Sequence, residues 1–413
     1  MWERAILHID MNNFYASVEC MLNPELRPHP IAVCGSQEER HGIVLAKNYA
    51  AKAKGVSTGE AIWQAKLKCP NLVVVPPHYE QYMKFSKLAR EIYGRYTDLI
   101  EPFGMDEVWA DVTGSQRALG TPLHMAEEIK ETVKYELGLT VSIGVSFNKV
   151  FAKLGSDMKK PDAVTVISKE TFRAQIWHLP ASDLLGVGRA TEKKLSSVGI
   201  RTIGQIAQFP CDFFQRRLGK CGVDLWRFAN GLDTSQVCVR DIEAPDKSVG
   251  HGMTAIQDLE NDAEVWKFIL ELSQDIGHRL YVFNKKATGI AIAIRDNDLF
   301  TKQWQCGISI PTQSPSCIAK EAFALFVRSY DWKRPIRSLT VRAINLTSVD
   351  TPFQLDIFSD PLKTDRAEAL DRAIEDLRYR FGKKIIRNAC LLVNPKMSPH
   401  DNPNIIMPTG IPL

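Results

Sequence analysis

Two apolar runs that stop at carboxylates constrain this chain more than any other feature. Residues 4–9, RAILHI, read as a short buried strand ending at Asp10. The strand-like runs TDLIEPF and VWADVTG meet at Gly104-Met105-Asp106-Glu107. A backbone can hold an acid rigidly at such a strand end, on the edge of a sheet. Neighbours on a regular strand point to opposite faces, so Asp106 and Glu107 can serve one site only from a turn, which Gly104 permits. Three carboxylates converging on one point repel one another unless cations neutralise them, and hard oxygen ligands of this kind favour Mg²⁺. Two such ions, about 3.5–4 Å apart, form the clamp that holds attacking and leaving oxygens in phosphoryl transfer. Taken singly, each acid also fits a helix cap, a turn residue or a salt-bridge partner.

The pattern around these acids mixes strands and helices. Asn12 or Asn13 is placed to cap a helix through FYASVECML, which stops before Pro24. Short strands (IAVCG, IVLAK), a helix near 59–68 and the run LVVVPP follow. Apolar side chains at Tyr82, Phe85, Leu88, Ala89, Ile92, Tyr93 and Tyr96 predict a helix over 80–96. A helix near 122–136 precedes the strand TVSIGVS, and Asn148 is placed to cap a helix to Met158. This layout predicts an α+β sheet domain with a helical insertion. From 180 to 232 the texture changes to short helices broken by glycines, and the polar stretch 241–252 reads as a linker. A second, small α+β domain follows, with helices over 264–282 and 316–330 and strands such as TGIAIAI and SLTVRAI. FQLDIFSDP and an amphipathic helix over 364–381, ended by Gly382, close the pattern. At 413 residues the chain is too long for one ordinary core.

Composition narrows the function classes. No apolar run reaches the ~18–20 residues of a membrane span, and the charged N-terminus is unlike a signal peptide. Nine cysteines without any C-x-x-C argue against a disulfide framework or structural zinc, and predict reduced thiols in a cytoplasmic protein. The net charge of +4 is unevenly spread: residues 168–240 hold eleven basic against six acidic residues, a net of +5. Such a segment is either a solvated face or a phosphate-binding module.

Four blocks in order resolve the reading: HIDMNNFYASVE (8–19), FGMDEVWADVTGS (103–115), VSIGVSFNKVFAKLGSDMKKPD (141–162) and LLGVGRATEKKLSSVGIRTIGQI (184–206). With them the chain, over residues 4 to 358, resembles a Y-family (translesion) DNA polymerase of the DNA polymerase IV type, the ImpB-MucB-SamB group. The resemblance implies an α+β multidomain right hand: palm 1–12 and 79–167, small fingers 13–78, helical thumb 168–240, linker 241–252, α+β little finger 253–350 and a tail 351–413. It implies that Asp10, Asp106 and Glu107 are the catalytic acids, binding two Mg²⁺ ions with the carbonyl of Met11. Tyr15 matches the steric gate against a ribose 2′-OH, with Phe14 packed beside it as core. Tyr49 and Lys52 match the fingers motif that holds the triphosphate, and Lys160 the basic palm residue at the β- and γ-phosphates. Two departures stand out: Asn12 where a second Asp is common, and Lys52 where Arg is frequent. Lys lacks the planar fork of Arg, so weaker triphosphate binding is expected.

By the same resemblance, 184–200 is a helix-hairpin-helix whose turn at Gly186-Val187-Gly188 offers amides to a DNA phosphate, flanked by Arg189, Lys193 and Lys194. The little finger is expected to lie on the duplex and to gather Lys285, Lys286, Arg295, Arg337 and Arg342 on its sheet. Gln354, Leu355, Ile357 and Phe358, in the peptide 354–358, resemble the pentapeptide that binds the bacterial sliding clamp. The implied enzyme is a DNA-directed DNA polymerase adding dNTPs to the 3′-OH of primer-template DNA with low fidelity, in DNA repair. It is expected to be a monomer with no membrane partner. The alternatives are a palm-type nucleotidyl cyclase or nuclease, and a catalytically silent DNA-binding accessory protein.

Overall fold

A computed structural model describes residues 1–354 apart from 39, 41 and 239–246, and beyond them 361–382, 385–392 and 396–397. Two compact units emerge, one built on residues 1–35 and 43–238, the other on 36–42 and the described residues from 247 on.

The first unit is organised by a five-stranded sheet in the order β5-β6-β1-β7-β8. Its strands are β1 (Ile6–Met11), β5 (Ile100–Pro102), β6 (Glu107–Asp111), β7 (Val141–Ser146) and β8 (Val164–Ile167). β1 is central, antiparallel to both β6 and β7, and buried along its whole length. Leu7, Ile9 and Met11 join the core made with helices Tyr79–Tyr93 and Pro122–Leu137. Ile6, His8 and Asp10 alternate to the other face, where helix Lys149–Met158 lies. Coverage on both faces explains why Ala5 to Ile9 read as an apolar run interrupted only by His8. Helix Lys149–Met158 approaches β7 so closely that a Cβ at Gly144 would lie 1.9 Å from the Ala152 carbonyl oxygen and 2.6 Å from the Ser156 nitrogen. Only glycine fits there. Asn148 caps this helix by accepting from the Phe151 N–H at 2.8 Å.

The cap expected at Asn12 or Asn13 for helix Phe14–Leu22 does not form. Asn13 is left-handed (φ 48°) and makes no side-chain cap bond. Asn12 is buried; its Nδ2 donates to Ser142 Oγ at 2.8 Å and its Oδ1 accepts from the Asp162 N–H at 2.9 Å. The amide is drawn into tying the end of β1 to β7 and to the loop after Lys160. Gly104 differs as well: its φ lies outside the left-handed region, and a Cβ there would meet only Asp106 Oδ1 at 3.5 Å. The turn before Asp106 forms without a glycine's freedom.

A smaller sheet, β3-β2-β4, comprises β2 (Ile31–Cys34), β3 (Val44–Lys47) and β4 (Val73–Val75). Ala32, Cys34, Val44, Ala51, Ile62 and Leu72 form its own core. Helix Phe14–Leu22, within the stretch 13–78, packs Phe14, Ala16 and Val18 into the main core instead. After β8 come the short helices Arg189–Ser196, Ile203–Gln208, Cys211–Leu218 and Lys220–Ala229. Leu184, Leu195, Ile203, Phe214 and Leu225 there share one core with Val150, Phe151, Leu154 and Ile167.

The second unit is a four-stranded antiparallel sheet, β11-β10-β12-β9, made of β9 (Ser248–Leu259), β10 (Lys285–Asp296), β11 (Thr301–Thr312) and β12 (Ile336–Ser348). Ile290, Ile292, Leu339 and Val341 bury one face against helices Asp262–Val282 and Pro315–Ser329. Residues 248–252, expected to be linker, are strand. Gly250 and Gly252 pair with Arg342 and Thr340, and a Cβ at Gly252 would lie 2.4 Å from Thr340 Oγ1. These glycines serve close side-chain approach, which in sequence is indistinguishable from a turn. Helix Pro361–Phe381 begins three residues earlier than expected. It docks through Lys286–Glu368 at 2.9 Å, His278–Glu375 at 2.7 Å and Arg378–Gln274 at 2.7 Å. Lys286 is thereby engaged by the tail helix. Arg295 and Arg342, paired with Ser338 and Ala291, lie on the alternate face from Ile294 and Val341.

Candidate active site

The ends of β1 and β6 open into a cleft of about 380 Å³ lined by Asp10, Met11, Asn13, Phe14, Tyr15, Leu45, Ala46, Lys47, Thr58, Asp106, Glu107 and Lys160. Asp10 and Glu107 are directly opposite each other in the β1–β6 register. Asp106 lies just outside β6, in the bend 103–106 that the Phe103 N–H closes onto the Glu107 carbonyl at 2.9 Å. The Met11 N–H donates to the Asp106 carbonyl at 2.9 Å, tying that bend to the end of β1. The bend lets two adjacent acids line one space.

Two lysines neutralise part of this charge. Lys160 Nζ donates to Asp10 Oδ2 at 2.7 Å and lies 2.9 Å from Asp157. Lys153 Nζ stands 3.6 Å from Asp10, 2.8 Å from Glu107 and 3.3 Å from Asp157. Burial and repulsion from Glu107 push Asp10 up to about 7 and Asp106 up to about 6. Burial opposes ionisation of Glu107 too, but His8 and Lys153 outweigh it and hold that carboxyl well below its ordinary value. Burial pulls His8 down to about 4.

Among the described residues no three His, Cys, Asp or Glu side chains are gathered closely enough to hold one ion by themselves. The donor set nevertheless suits a hard divalent cation. Lys153 Nζ already stands between Asp10 and Glu107 as a cation would. Asp106 has no ion-pair partner among the described residues, and burial, then repulsion from Glu107, raises its pKa, a cost that a bound cation would offset.

Tyr15 packs into an aromatic cluster at the cleft wall. Its ring stacks on Tyr82 with centroids 4.2 Å apart and planes 9° apart, meets Tyr79 edge-on at 6.0 Å, and its hydroxyl reaches Met105 Sδ at 3.5 Å. Burial pushes its hydroxyl up to about 12. Phe14 is 3% exposed and belongs to the main core. Tyr49 opens the short helix Tyr49–Ala53, capped by Asn48, and Lys52 Nζ lies 5.6 Å from its ring centroid. Neither side chain lines the cleft; Lys47 and Thr58, joined by a 2.9 Å hydrogen bond, do.

Sequence reasoning did not single out Lys153, Lys47 or His8. Lys153 had a usable signal: it sits four residues before Asp157 on a helix, and Lys160 follows three residues later. Lys47 had only its place just before Asn48-Tyr49.

Away from the cleft, Gly186 is left-handed (φ 91°) and exposed, and Gly188 is the N-cap of helix Arg189–Ser196, with nothing within 4 Å of its missing Cβ. Arg189, Lys193, Lys194 and Arg201 are exposed on the same hairpin and enter no ion pair among the described residues. Leu355, Ile357 and Phe358 lie outside the described residues; Gln354 is the last residue described before them. No helix among the described residues is long and apolar enough to cross a membrane, and all nine cysteines are unpaired.

The fold is that of a right-hand polymerase: the chain is similar to a solved Y-family DNA polymerase chimera, Dbh-Dpo4(243-245)-Dbh, with TM-score 0.74 over 83% of this chain and 99% of that one, at 23% identity. Residues 9–157 match the impB/mucB/samB family, 246–357 its C-terminal domain, and 182–233 the thumb domain of DNA polymerase iota. The chain is 51% identical to DNA polymerase IV of Acetivibrio thermocellus over 94% of its own length and 98% of that protein's. It is 37% identical to DNA polymerase IV 1 of Bacillus subtilis over 94% and 93%, and 35% identical to DNA polymerase IV 2 of the same organism over 95% of each. The chain therefore belongs to the Y-family DNA polymerases, within the impB/mucB/samB group, and is a DNA-directed DNA polymerase of the translesion class.

Proposed function

We propose that the cleft performs template-directed, Mg²⁺-dependent nucleotidyl transfer, in which a primer 3′-OH attacks the α-phosphate of a dNTP and pyrophosphate leaves. The observation that carries this reading is the meeting of Asp10, Asp106 and Glu107 in one cleft with Tyr15 and Lys160. The three carboxylates and the Met11 carbonyl would hold two Mg²⁺ ions. Bound there, Mg²⁺ would lower the pKa of the primer 3′-OH and neutralise the departing phosphates.

The chain's own residues position the reactants. Lys160 and Lys47, which line the cleft, would place positive charge against a triphosphate, and Tyr49 and Lys52 would join them on nucleotide binding. Tyr15, stacked on Tyr82 in the cleft wall, would stand against the sugar of the nucleotide and exclude a 2′-OH. No side chain needs to act as nucleophile, so catalysis is positioning and electrostatics. Arg189, Lys193, Lys194 and the Gly186–Gly188 turn would hold duplex phosphates without reading bases. Small fingers would leave the nascent pair loosely enclosed, so that fidelity would be low and damaged templates tolerated. The peptide 354–358 would bind the sliding clamp. We assign the protein to the cytoplasm, acting as a monomer.

Primer extension on a defined template with and without Mg²⁺ tests the reading. Mg²⁺-dependent, template-matched addition supports it. Extension equally fast in EDTA, or NTP cyclisation or DNA degradation in its place, overturns it.

A further inference from the structure

His8 is a polar ring in the middle of a strand that is buried along its whole length, and it is itself 0% exposed. Burying such a ring is unfavourable unless both nitrogens find partners. Nδ1 has one, Ser156 Oγ at 2.8 Å. Nε2 has no hydrogen bond, and the atom it faces, Glu107 Oε2 at 3.4 Å, is also buried and without a hydrogen bond. An orphaned nitrogen thus faces, under the cleft, a buried carboxylate oxygen whose other close contact is the Lys153 ammonium at 2.8 Å. Trp109, edge-on at 5.4 Å, and Phe103, edge-on at 6.4 Å, hold the ring in that orientation. Packing alone does not call for histidine, since an aliphatic side chain would fill this space without an unpaired atom.

We propose that His8 is a positioning residue for Glu107, directing Nε2–H at Oε2 so that Oε1 is turned to the cleft as a cation ligand. Ser156 has two acceptors within reach, Nδ1 and the Lys153 carbonyl oxygen at 2.8 Å. When it donates to Nδ1, the neutral ring carries its proton on Nε2. The other contact of Glu107, Lys153 at 2.8 Å, falls on the same Oε2, so both partners leave Oε1 to the cleft. Gly144 makes this possible: it is paired with His8 across β1 and β7 and admits the helix that brings Ser156 and Lys153 down onto the sheet. Outer partners of this kind orient a ligand and typically change metal affinity by 10–100-fold. The proposal rests on the reading of Glu107 as a metal ligand.

The test uses the full chain with primer-template DNA and reads two quantities. One is Mn²⁺ binding, followed by loss of the free-ion EPR signal; the other is the Mg²⁺ concentration for half-maximal extension. His8→Leu is expected to weaken Mn²⁺ binding and raise the Mg²⁺ requirement about 10–100-fold, with DNA affinity within about twofold of wild type as the handle on intact folding. His8→Gln, whose amide N–H can reach Glu107, is expected to recover most of the loss; a His8→Gln no better than His8→Leu overturns the proposal. A folded His8→Leu with wild-type Mn²⁺ binding and Mg²⁺ requirement also overturns it. If His8→Leu does not fold, Ser156→Ala carries the test: several-fold weaker Mn²⁺ binding supports the proposal, and unchanged binding overturns it. Asp106→Ala separates the two levels. If that variant binds Mn²⁺ as wild type, the metal-site reading itself fails; if it loses binding while the His8 variants do not, only the role of His8 fails.

Discussion

Asp106 is the acid with the least local support. Asp10 and Glu107 lean on Lys160 and Lys153, whereas Asp106 has no ion-pair partner among the described residues. Its folded pKa of about 6 lies above the ordinary aspartate value of 3.8, so the folded state prefers the protonated acid. Above pH 6 the fold bears the full unfavourable charge; as pH falls towards 4 that burden disappears. Asp106→Asn should therefore abolish extension and yet stabilise the metal-free protein at pH 8, by of order 1–3 kcal/mol. Thermal melts should show the gain shrinking to nothing near pH 4, and a variant that melts below wild type at pH 8 would refute the sign. Tyr15 makes a second prediction at this scale. Its hydroxyl makes only a weak contact with Met105 Sδ at 3.5 Å, so Tyr15→Ala chiefly removes bulk. The ratio of rNTP to dNTP incorporation should rise steeply while dNTP extension largely persists. An unchanged ratio would make Tyr15 an ordinary member of the aromatic cluster.

At the level of elements, the chemistry depends on how one helix meets one sheet. Lys153 and Ser156 reach the ends of β1 and β6 because Gly144 lets helix Lys149–Met158 lie directly on β7. Asn12 secures the same region from the other side, which accounts for an amide where a second acid is common in the family. An aspartate there could not donate to Ser142 while accepting from the Asp162 N–H. The hairpin at 184–200 is a different kind of element, an exposed turn and helix with unpaired cations. DNA affinity should fall linearly on a log–log plot against salt. Replacing Lys193, Lys194 and Arg201 together by Ala should lower the slope by about 0.9 for each phosphate that is no longer neutralised. A fluorescence-anisotropy titration giving the wild-type slope would reduce these residues to a solvated face.

For the whole molecule, the question is what would keep the enzyme on its template. The peptide 354–358 lies in sequence between β12 and helix Pro361–Phe381 and is expected to tether the chain to a clamp, raising local concentration without altering the chemistry. Replacing Leu355 and Phe358 by Ala should leave extension on linear primed DNA unchanged and remove clamp stimulation on circular primed DNA. Equal stimulation of both proteins would move clamp binding elsewhere. The tail helix Pro361–Phe381 docks on its own unit by a polar seam of Glu368, Glu375 and Arg378. It occupies Lys286, a residue otherwise expected to be available on the little finger.

Local order is legible in the residues themselves. Short apolar runs bounded by polar residues read as buried strands, which puts Asp10 near the end of β1 and Glu107 at the start of β6. Asn148 caps its helix as its side-chain chemistry requires, and the glycine-punctuated basic segment folds into short helices. Tertiary structure decides the partners distant in sequence. Whether Lys153 reaches the acids depends on how closely its helix lies on β7, which Gly144 permits, and periodicity cannot fix that distance. Asn12 is equally suited to cap a helix, and only the nearness of Ser142 and Asp162 settles its bonds. Gly250 and Gly252 have the composition of a turn and become strand because β12 lies beside them. Propensity acts over a few residues, whereas the electrostatics of the cleft come from side chains up to 150 positions apart, which only packing brings together.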